Sequence, residues 1–261
     1  MSDQTNAMFA LPDAYDEFMG RYSTQLAGDF VKVVPLKHGD AVLDLGCGPG
    51  ALTRELVSIV GAANVSAIDP SPPFLEACVA RYPGVTGEVA RAEEIPFDKG
   101  AFDAVLSLLV IHFVGDLDKA GKEIMRVTKH GGHVAVCTWV VDEMDVISNL
   151  RRAIANAAVV AEPPVRVNEF EQDGSLAEYL ESIGLEQVEE SRLSVSSTYP
   201  DFEAMWQTYL LGVGPQGPWM LQLPEDARSA IRSALFDLMG QPGGEVTLTG
   251  VARSAHGITP P

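Results

Sequence analysis

The fold of this chain is set by residues 42–50, which read Val-Leu-Asp-Leu-Gly-Cys-Gly-Pro-Gly. The stretch begins as a short apolar run typical of a buried β-strand and ends as a glycine-rich turn. A helix is predicted from Ala51 to Val60, because its apolar residues fall on one face. Glycine permits a sharp turn and the close approach of a ligand, and the free amide groups of a helix start point toward that ligand. Residues 42–60 therefore predict a strand, turn and helix that cradle a ligand.

Strand-like segments recur along the chain with helix-like segments between them. The predicted strands are 40–45, 64–69, 85–90, 102–108, 133–141, 186–198 and 245–256. Alternating strands and helices predict a parallel sheet with helices on both faces, which binds ligands at the carboxyl ends of its strands. The predicted fold class is α/β: a doubly wound, Rossmann-like, seven-stranded sheet, mostly parallel with an antiparallel last strand, plus a helical lid and insertion.

The formal net charge of −18 disfavours nucleic acid and anionic membranes as partners, because both would be repelled. Much of the excess negative charge lies between Asp142 and Glu203, a segment that contains 14 acidic residues and four arginines. Two interpretations stay open for this region. It is either a solvated, solubilising surface or a site that attracts a cationic substrate.

No membrane helix and no signal peptide are predicted. No window approaches the ~18 consecutive apolar residues that a membrane helix needs. Residues 1–10 contain no basic residue and no apolar core. Cys47, Cys78 and Cys137 are few, odd in number and far apart, which argues against a disulfide framework or a zinc site. These features predict a cytoplasmic protein without a bound metal.

The turn also fits the G-x-G-x-x-A pattern of dinucleotide sites through Gly46, Gly48 and Ala51. Three details oppose a pyrophosphate there: the negative Asp44, the missing amide hydrogen of Pro49, and the absence of a basic residue in the turn. The same details suit a zwitterionic ligand, whose amino group or sulfonium Asp44 would attract. Asp69, at the end of the second strand, could accept both hydroxyls of a ribose, and Glu93 could lie at the edge of an adenine.

At this point the motifs identify a resemblance. They are residues 42–50, Ile-Asp-Pro-Ser at 68–71, Ala-Glu-Glu-Ile-Pro-Phe at 92–97, Phe-Asp-Ala-Val at 102–105, Leu-Val-Ile-His-Phe at 109–113, and Gly131-Gly132. In order and spacing they resemble the class I S-adenosylmethionine-dependent methyltransferases, and within them the small-molecule group that includes ubiquinone/menaquinone-biosynthesis methyltransferases. The resemblance covers about Tyr15 to Trp139 and is specific for fold and cofactor, not for substrate.

The resemblance implies S-adenosyl-L-methionine as cofactor. The residues that would bind it are Tyr15, Arg21, Asp44, Gly46, Cys47, Gly48, Asp69, Pro70, Ala92, Glu93, Ser107 and Leu108. The turn would line the methionine part, Asp69 the ribose, and Ala92 with Glu93 the adenine edge. Tyr15 or Arg21 would reach the cofactor carboxylate from an N-terminal lid helix predicted from Asp13 to about Ala27. In one departure, Ala90-Arg91 stands where many relatives have Gly-Asp, so a carboxylate often found near the adenine amino group is absent.

The chain is predicted to divide into four segments. They are an N-terminal helical lid at 1–34, a cofactor-binding α/β core at 35–141, a helical insertion at 142–183, and C-terminal strands at 184–261 that carry an inserted helical cap at 199–244.

Methyl transfer is an in-line displacement in which alignment and desolvation of the partners matter most. His112 is the candidate general base, because it follows the fourth strand near the expected cleft, but it could equally cap the next helix. Trp139, Trp206 and Tyr209 are candidates for an apolar substrate pocket, with core packing as the alternative.

The predicted function is transfer of a methyl group to a small, apolar or aromatic metabolite. An NAD-dependent oxidoreductase and a non-catalytic S-adenosylmethionine-binding protein are the two alternatives. The predicted partner is a small-molecule substrate, with neither nucleic acid nor membrane, and a homodimer is one alternative to a monomer.

Overall fold

A computed structural model describes residues 11–157, 169–214 and 216–261 of the chain. The stretch 1–10, for which no signal peptide is predicted, lies outside the described residues, as do 158–168 of the predicted insertion. The strands form one seven-stranded sheet in the order β3-β2-β1-β4-β5-β7-β6. They are β1 (Val42–Leu45), β2 (Val65–Asp69), β3 (Thr86–Val89), β4 (Phe102–Leu108), β5 (Thr128–Met144), β6 (Glu186–Tyr199) and β7 (Val246–Ile258). The sheet is mostly parallel with antiparallel last strands, so the predicted Rossmann-like fold class is confirmed.

The centre of the sheet is β1, which pairs in parallel with β2 on one side and with β4 on the other. All four β1 residues are buried, as expected for a strand covered on both faces. Strand order reverses at β1, because β2 and β3 follow on one side and β4 starts the other. This reversal is the switch point at which doubly wound sheets bind ligands. The glycine-rich turn leaves β1 at that position.

The described α-helices are α1 (Pro12–Tyr15), α2 (Arg21–Phe30), α3 (Ala51–Val60), α4 (Pro72–Arg81), α5 (Leu117–Val127), α6 (Asp145–Asn156), α7 (Ser175–Ser182), α8 (Phe202–Thr208), α9 (Gly217–Gln222) and α10 (Glu225–Leu238). Local sequence explains where several begin. The Ser71 hydroxyl accepts the Phe74 amide hydrogen at the start of α4, where prolines follow. Asp116 caps α5 through the Lys119 amide, and Ala120, Ile124 and Val127 form its buried face.

Two elements differ from the sequence prediction. The N-terminal helix, predicted to be continuous, is divided by a π-helical turn at Asp16–Gly20. Strand β5 begins at Thr128, before the predicted glycine pair, because Thr128 pairs with Phe102 and His133 with Ala104 across a register shift. Gly132 is required inside this bulge, since a Cβ atom there would lie 2.9 Å from the Asp103 carbonyl oxygen.

The chain forms two compact units. The core unit comprises Ser23–Trp139, Asn168–Leu193 and Ala252–Pro261, and the companion unit comprises Met1–Tyr22, Val140–Val167 and Ser194–Val251. The core unit is packed around apolar residues of the central strands and helices α5 and α7, including Leu43, Ile68, Val105, Ile124 and Leu180. The four predicted segment boundaries stay predictions. Among the described helices, none has both the length and the apolar character needed to cross a membrane.

Candidate functional site

The turn after β1 is built on three glycines with left-handed backbone angles. Gly46, Gly48 and Gly50 have φ values of 81°, 52° and 102°. The amide hydrogens of Gly46 and Cys47 both point to the Ile68 carbonyl oxygen, at N–O distances of 2.8 and 3.0 Å. The turn is therefore fastened to β2, and glycine is needed because other residues rarely adopt these angles.

Replacement of Gly46 is expected to harm the turn more than replacement of Gly48. A Cβ atom at Gly46 would lie 2.4 Å from a methyl group of Val110, whereas at Gly48 the nearest atom is 3.9 Å away. Gly46→Ala should cost about 2–4 kcal/mol of unfolding free energy through strain and overpacking, and Gly48→Ala about 1 kcal/mol through strain alone. Urea unfolding measures both values. Equal losses would contradict the close contact between Gly46 and Val110.

Asp44 is a fully buried carboxylate beside this turn, with 0% of its surface exposed. The Thr53 hydroxyl donates to its Oδ2 at 2.6 Å, whereas its Oδ1 has no hydrogen-bond partner among the described residues. Burial raises the pKa of Asp44 to about 7, and the nearby negative charge of Asp69 adds to the rise. An anionic oxygen without a donor at this depth is an acceptor site for a cationic ligand group.

Asp69, at the end of β2, connects the turn to the start of α4. Its Oδ2 accepts the Gly48 amide hydrogen at 2.9 Å, and its Oδ1 accepts the Ser71 amide hydrogen at 2.8 Å. Burial raises the pKa of Asp69 to about 6, although both amide hydrogens act in the opposite direction. Each carboxylate oxygen has a second lone pair available to a ligand. Binding of ribose hydroxyls by Asp69 stays a prediction. Pro70 follows Asp69 in a half-buried position.

The segment that leaves β3 comes close to Asp69, because the Ala90 amide donates to the Asp69 carbonyl oxygen at 3.3 Å. Ala92 is buried. Glu93 Oε1 accepts the amide hydrogens of Gly115 and Asp116 at 3.0 and 3.4 Å. The Glu93 carboxylate therefore holds the loop that precedes α5. Contact of Ala92 and Glu93 with an adenine edge stays a prediction.

The end of β4 contains Ser107 and Leu108, both buried. The Ser107 hydroxyl donates to the Leu45 carbonyl oxygen at 2.9 Å and so ties β4 to β1. Leu109 then adopts a left-handed φ of 63°, and its amide donates to the Cys137 carbonyl oxygen at 2.8 Å. Such strain in a residue other than glycine is typical of functional loops. The left-handed conformation of Leu109 could not be predicted from the sequence, because leucine carries no signal for it.

Cys47 is buried in a small apolar cluster with Ala67, Leu75 and Cys78. A hydrogen bond to the Cys78 thiol and burial raise the pKa of Cys47. The Cys47 thiol therefore stays neutral, and only the backbone of this residue belongs to the turn surface. A direct role in cofactor binding stays a prediction for Cys47.

His112 lies in the short 3₁₀ turn Ile111–Phe113 that follows β4. Its Nδ1 is 2.8 Å from the Thr138 hydroxyl oxygen on β5. The alternative that His112 caps the next helix is wrong, because Asp116 caps α5. A catalytic role for His112 stays a prediction. Thr138 was missed by sequence reasoning, since its contact joins residues far apart in the chain.

Four predicted site residues belong to the companion unit. The Arg21 guanidinium lies 4.1 Å from the centre of the Tyr199 ring and donates to the Ser197 hydroxyl. The Tyr209 hydroxyl donates to the Val146 carbonyl oxygen at 2.7 Å. Trp206 is buried and packs edge-on against Tyr209, Tyr15 is half-buried, and Trp139 of the core unit is also buried. Their roles in binding cofactor or substrate stay predictions.

Comparison with known proteins shows the class of fold and a similarity to one family. The structure of phosphoethanolamine N-methyltransferase 2 of Haemonchus contortus, solved with S-adenosyl-L-methionine, matches over 96% of this chain and 57% of that chain, with a TM-score of 0.60 at 18% identity. The shared fold is that of Rossmann-like methyltransferases. Residues 43–136 match the family model described as a methyltransferase domain. The resemblance to class I methyltransferases is confirmed, and residues 43–136 are similar to a methyltransferase domain.

Two curated relatives are similar in sequence. A malonyl-[acyl-carrier protein] O-methyltransferase of Salmonella typhimurium is 34% identical over 118 residues, which is 45% of this chain and 46% of that protein. A ubiquinone/menaquinone biosynthesis C-methyltransferase of Geobacter sp. is 34% identical over 127 residues, 46% of this chain and 54% of that protein. The chain spans about half the length of these relatives.

Proposed function

We propose that this chain is an S-adenosyl-L-methionine-dependent methyltransferase that acts on a small, apolar or aromatic metabolite. The observation that carries the proposal is the fully buried Asp44 Oδ1 beside the turn Gly46–Gly50, which has no hydrogen-bond partner in the part of the chain that the structure describes. That oxygen fits the ammonium group of a methionine moiety, which is cationic and has hydrogens to donate. The match of residues 43–136 to a methyltransferase domain supports the same cofactor.

The residues at the ends of β1, β2 and β3 have separate tasks in this proposal. Asp44 and the glycine turn hold the methionine part, Asp69 binds the ribose hydroxyls, and the Ala92–Glu93 segment flanks the adenine. The cofactor supplies an electrophilic methyl group on a sulfonium. The protein contributes alignment of the substrate and exclusion of water, which are the main demands of an in-line displacement.

The substrate assignment rests on aromatic side chains rather than on the relatives. Trp139, Trp206 and Tyr209 are large aromatic side chains of the kind that line apolar ligand pockets, and all three are buried. The names of the three proteins compared above specify oxygen, carbon and nitrogen as methyl acceptors, so the shared domain is compatible with each. A screen of acceptors should therefore include phenols, carboxylic acids, enols and amines.

Isothermal titration separates the proposal from its alternatives. The chain should bind S-adenosylhomocysteine with a micromolar Kd and should not bind NAD. NAD binding without S-adenosylhomocysteine binding would favour the oxidoreductase, which neither the turn nor the comparisons support. Incubation with labelled S-adenosylmethionine and the acceptor screen tests catalysis. Cofactor binding without label transfer to any acceptor would favour the non-catalytic alternative.

Replacement of Asp69 is expected to weaken cofactor binding. Asp69→Ala removes the proposed ribose acceptor and also the bonds that hold the Gly48 and Ser71 amides. The Kd for S-adenosylhomocysteine should rise at least about tenfold, measured by titration. Asp201→Ala is the matched control, because it removes a carboxylate that caps α8 in the companion unit and should leave the Kd unchanged. Unchanged affinity in Asp69→Ala would remove Asp69 from the cofactor site.

The cellular location, the binding partner and the oligomeric state are also part of the proposal. We place it in the cytoplasm, because Cys47, Cys78 and Cys137 are all free thiols. The net charge of −18 supports a small-molecule partner rather than nucleic acid or an anionic membrane. Light scattering in solution distinguishes a homodimer from a monomer.

A further inference from the structure

Thr138 fastens the turn after β4 to strand β5. Its side chain is fully buried, with 0% of its surface exposed, and its hydroxyl oxygen lies 2.8 Å from His112 Nδ1. The preceding residue, Cys137, accepts the Leu109 amide hydrogen at 2.8 Å. Two consecutive β5 residues thus hold two points of the same turn. This arrangement orients the His112 ring by a specific bond at one of its two nitrogens.

The direction of that hydrogen bond follows from the burial of Thr138. A hydroxyl has one hydrogen, and a buried hydroxyl hydrogen needs an acceptor. Across residues 11–157, 169–214 and 216–261, the acceptor in hydrogen-bond contact with Thr138 Oγ1 is His112 Nδ1. If Nδ1 carried the imidazole hydrogen instead, the Thr138 hydroxyl hydrogen would be buried without an acceptor. Donation from Thr138 to Nδ1 satisfies both groups and leaves the imidazole hydrogen on Nε2.

We infer that Thr138 holds His112 as the tautomer protonated at Nε2, so that His112 acts on the substrate as a hydrogen-bond donor and not as a general base. Thr138 is the positioning residue, and His112 is the residue that contacts substrate. This inference depends on the proposed methyl transfer in one respect: the molecule that His112 contacts is taken to be the substrate of that reaction. It specifies the substrate further: the metabolite presents a carbonyl, carboxylate or phenolate oxygen to His112 Nε2.

His112 does not act as a general base because, of its two ring nitrogens, Nε2 carries the hydrogen and Nδ1 accepts a hydrogen bond. The lone pair of a neutral imidazole in this tautomer is on Nδ1, where Thr138 donates to it. The imidazole therefore cannot take a proton from a substrate at Nε2 unless it first changes tautomer and breaks the bond to Thr138. Any proton that leaves the methyl-accepting atom must go to another group or to water.

Nitrogen-15 NMR of histidine-labelled protein tests the tautomer directly. The protein contains five histidines, and the signal that disappears in His112→Gln identifies His112. At mildly alkaline pH, Nε2 should give a pyrrole-type signal and Nδ1 a pyridine-type signal. Thr138→Ser should preserve this pattern, and Thr138→Val should move it toward a tautomer mixture. A pyrrole-type Nδ1 in the unmodified protein would overturn the inference.

Thr128→Val is the matched control for these spectra. Thr128 is also a buried threonine on β5, but its hydroxyl donates to the Ile124 carbonyl oxygen at 2.7 Å. Its removal should leave the His112 signals unchanged. Because the spectra need neither cofactor nor substrate, this measurement is independent of the tests of the proposed function.

Activity distinguishes a donor from a base at His112. With an acceptor found in the screen, His112→Gln keeps an amide donor and should retain at least about tenfold more kcat/KM than His112→Leu. Thr138→Ser should retain more kcat/KM than Thr138→Val. If His112 were a general base, His112→Gln and His112→Leu would lose kcat/KM equally. Equal losses would therefore overturn the donor role.

Discussion

Asp44→Asn is expected to make the cofactor-free protein more stable and at the same time to weaken its binding of S-adenosylhomocysteine. The Asp44 carboxyl must ionise in a fully buried position, and its pKa is raised from 3.8 to about 7. The folded state therefore loses stability as pH rises through the window from about 4 to about 7, with a cost on the order of 4 kcal/mol above it. A neutral amide avoids this cost but buries hydrogens with imperfect partners, so the net gain at about pH 8 should be about 1–2 kcal/mol.

Binding should change in the opposite direction. The asparagine has no negative charge for the ammonium group of the cofactor, so the Kd should rise about tenfold to hundredfold. Thermal unfolding near pH 8 and near pH 4 measures the first effect. Its sign should reverse at the lower pH, because Asp44 is then neutral and its ionisation cost is absent, whereas the cost of burying the asparagine amide remains. Titration with S-adenosylhomocysteine measures the second.

Asp103→Asn provides a control with the opposite sign. The Asp103 carboxylate accepts from Lys129 and from the Ala41 amide, and these donors hold its pKa below the usual value. Asp103→Asn should reduce stability slightly and leave cofactor affinity unchanged. If Asp44→Asn bound S-adenosylhomocysteine as tightly as the unmodified protein, Asp44 would not hold the methionine part, and the main support for the proposed function would be removed.

Arg253→Leu is expected to cause the largest loss of stability. Arg253 on β7 is 1% exposed, and its Nε lies 2.9 Å from Glu190 Oε1 in an ion pair without hydrogen-bond geometry. Its other nitrogens donate to the Phe170 carbonyl oxygen and to Asp173. Arg253→Leu removes the cation beside the half-buried Glu190 carboxylate, which then keeps, among the described residues, only backbone amide hydrogens of residues 174–177 as donors. This loss should cost about 3–5 kcal/mol of unfolding free energy. Urea denaturation measures this value.

Two further variants show whether the buried pair is the cause. Arg192→Leu removes an arginine that pairs with the exposed Asp173 at 3.2 Å, and it should cost less than about 1 kcal/mol. Glu190→Gln combined with Arg253→Leu should cost clearly less unfolding free energy than the sum of the two single changes, because the double variant has neither charge of the pair. Additive losses would show that Arg253 stabilises the fold by packing and not by pairing with Glu190.

Elements whose signal is local could be predicted from the sequence. Strand β4 was expected at 102–108 and is observed at Phe102–Leu108, because its apolar run is bounded by polar and turn residues. The start of β5 was predicted too late. Its first residues pair with β4 through a bulge and contact the chain end at Thr259, and neither contact has a local signal.

The sequence by itself determined the class of this protein, because the glycine turn and the carboxylates Asp44 and Asp69 depend on short-range backbone geometry and on the ends of adjacent strands. The tertiary structure alone decided which polar atoms are satisfied and which are not. Within the described residues it leaves Asp44 Oδ1 without a donor, and it joins Thr138 to His112 and buries Arg253 beside Glu190. Each of these depends on burial by residues distant in the chain, and burial determines the energy of a polar contact.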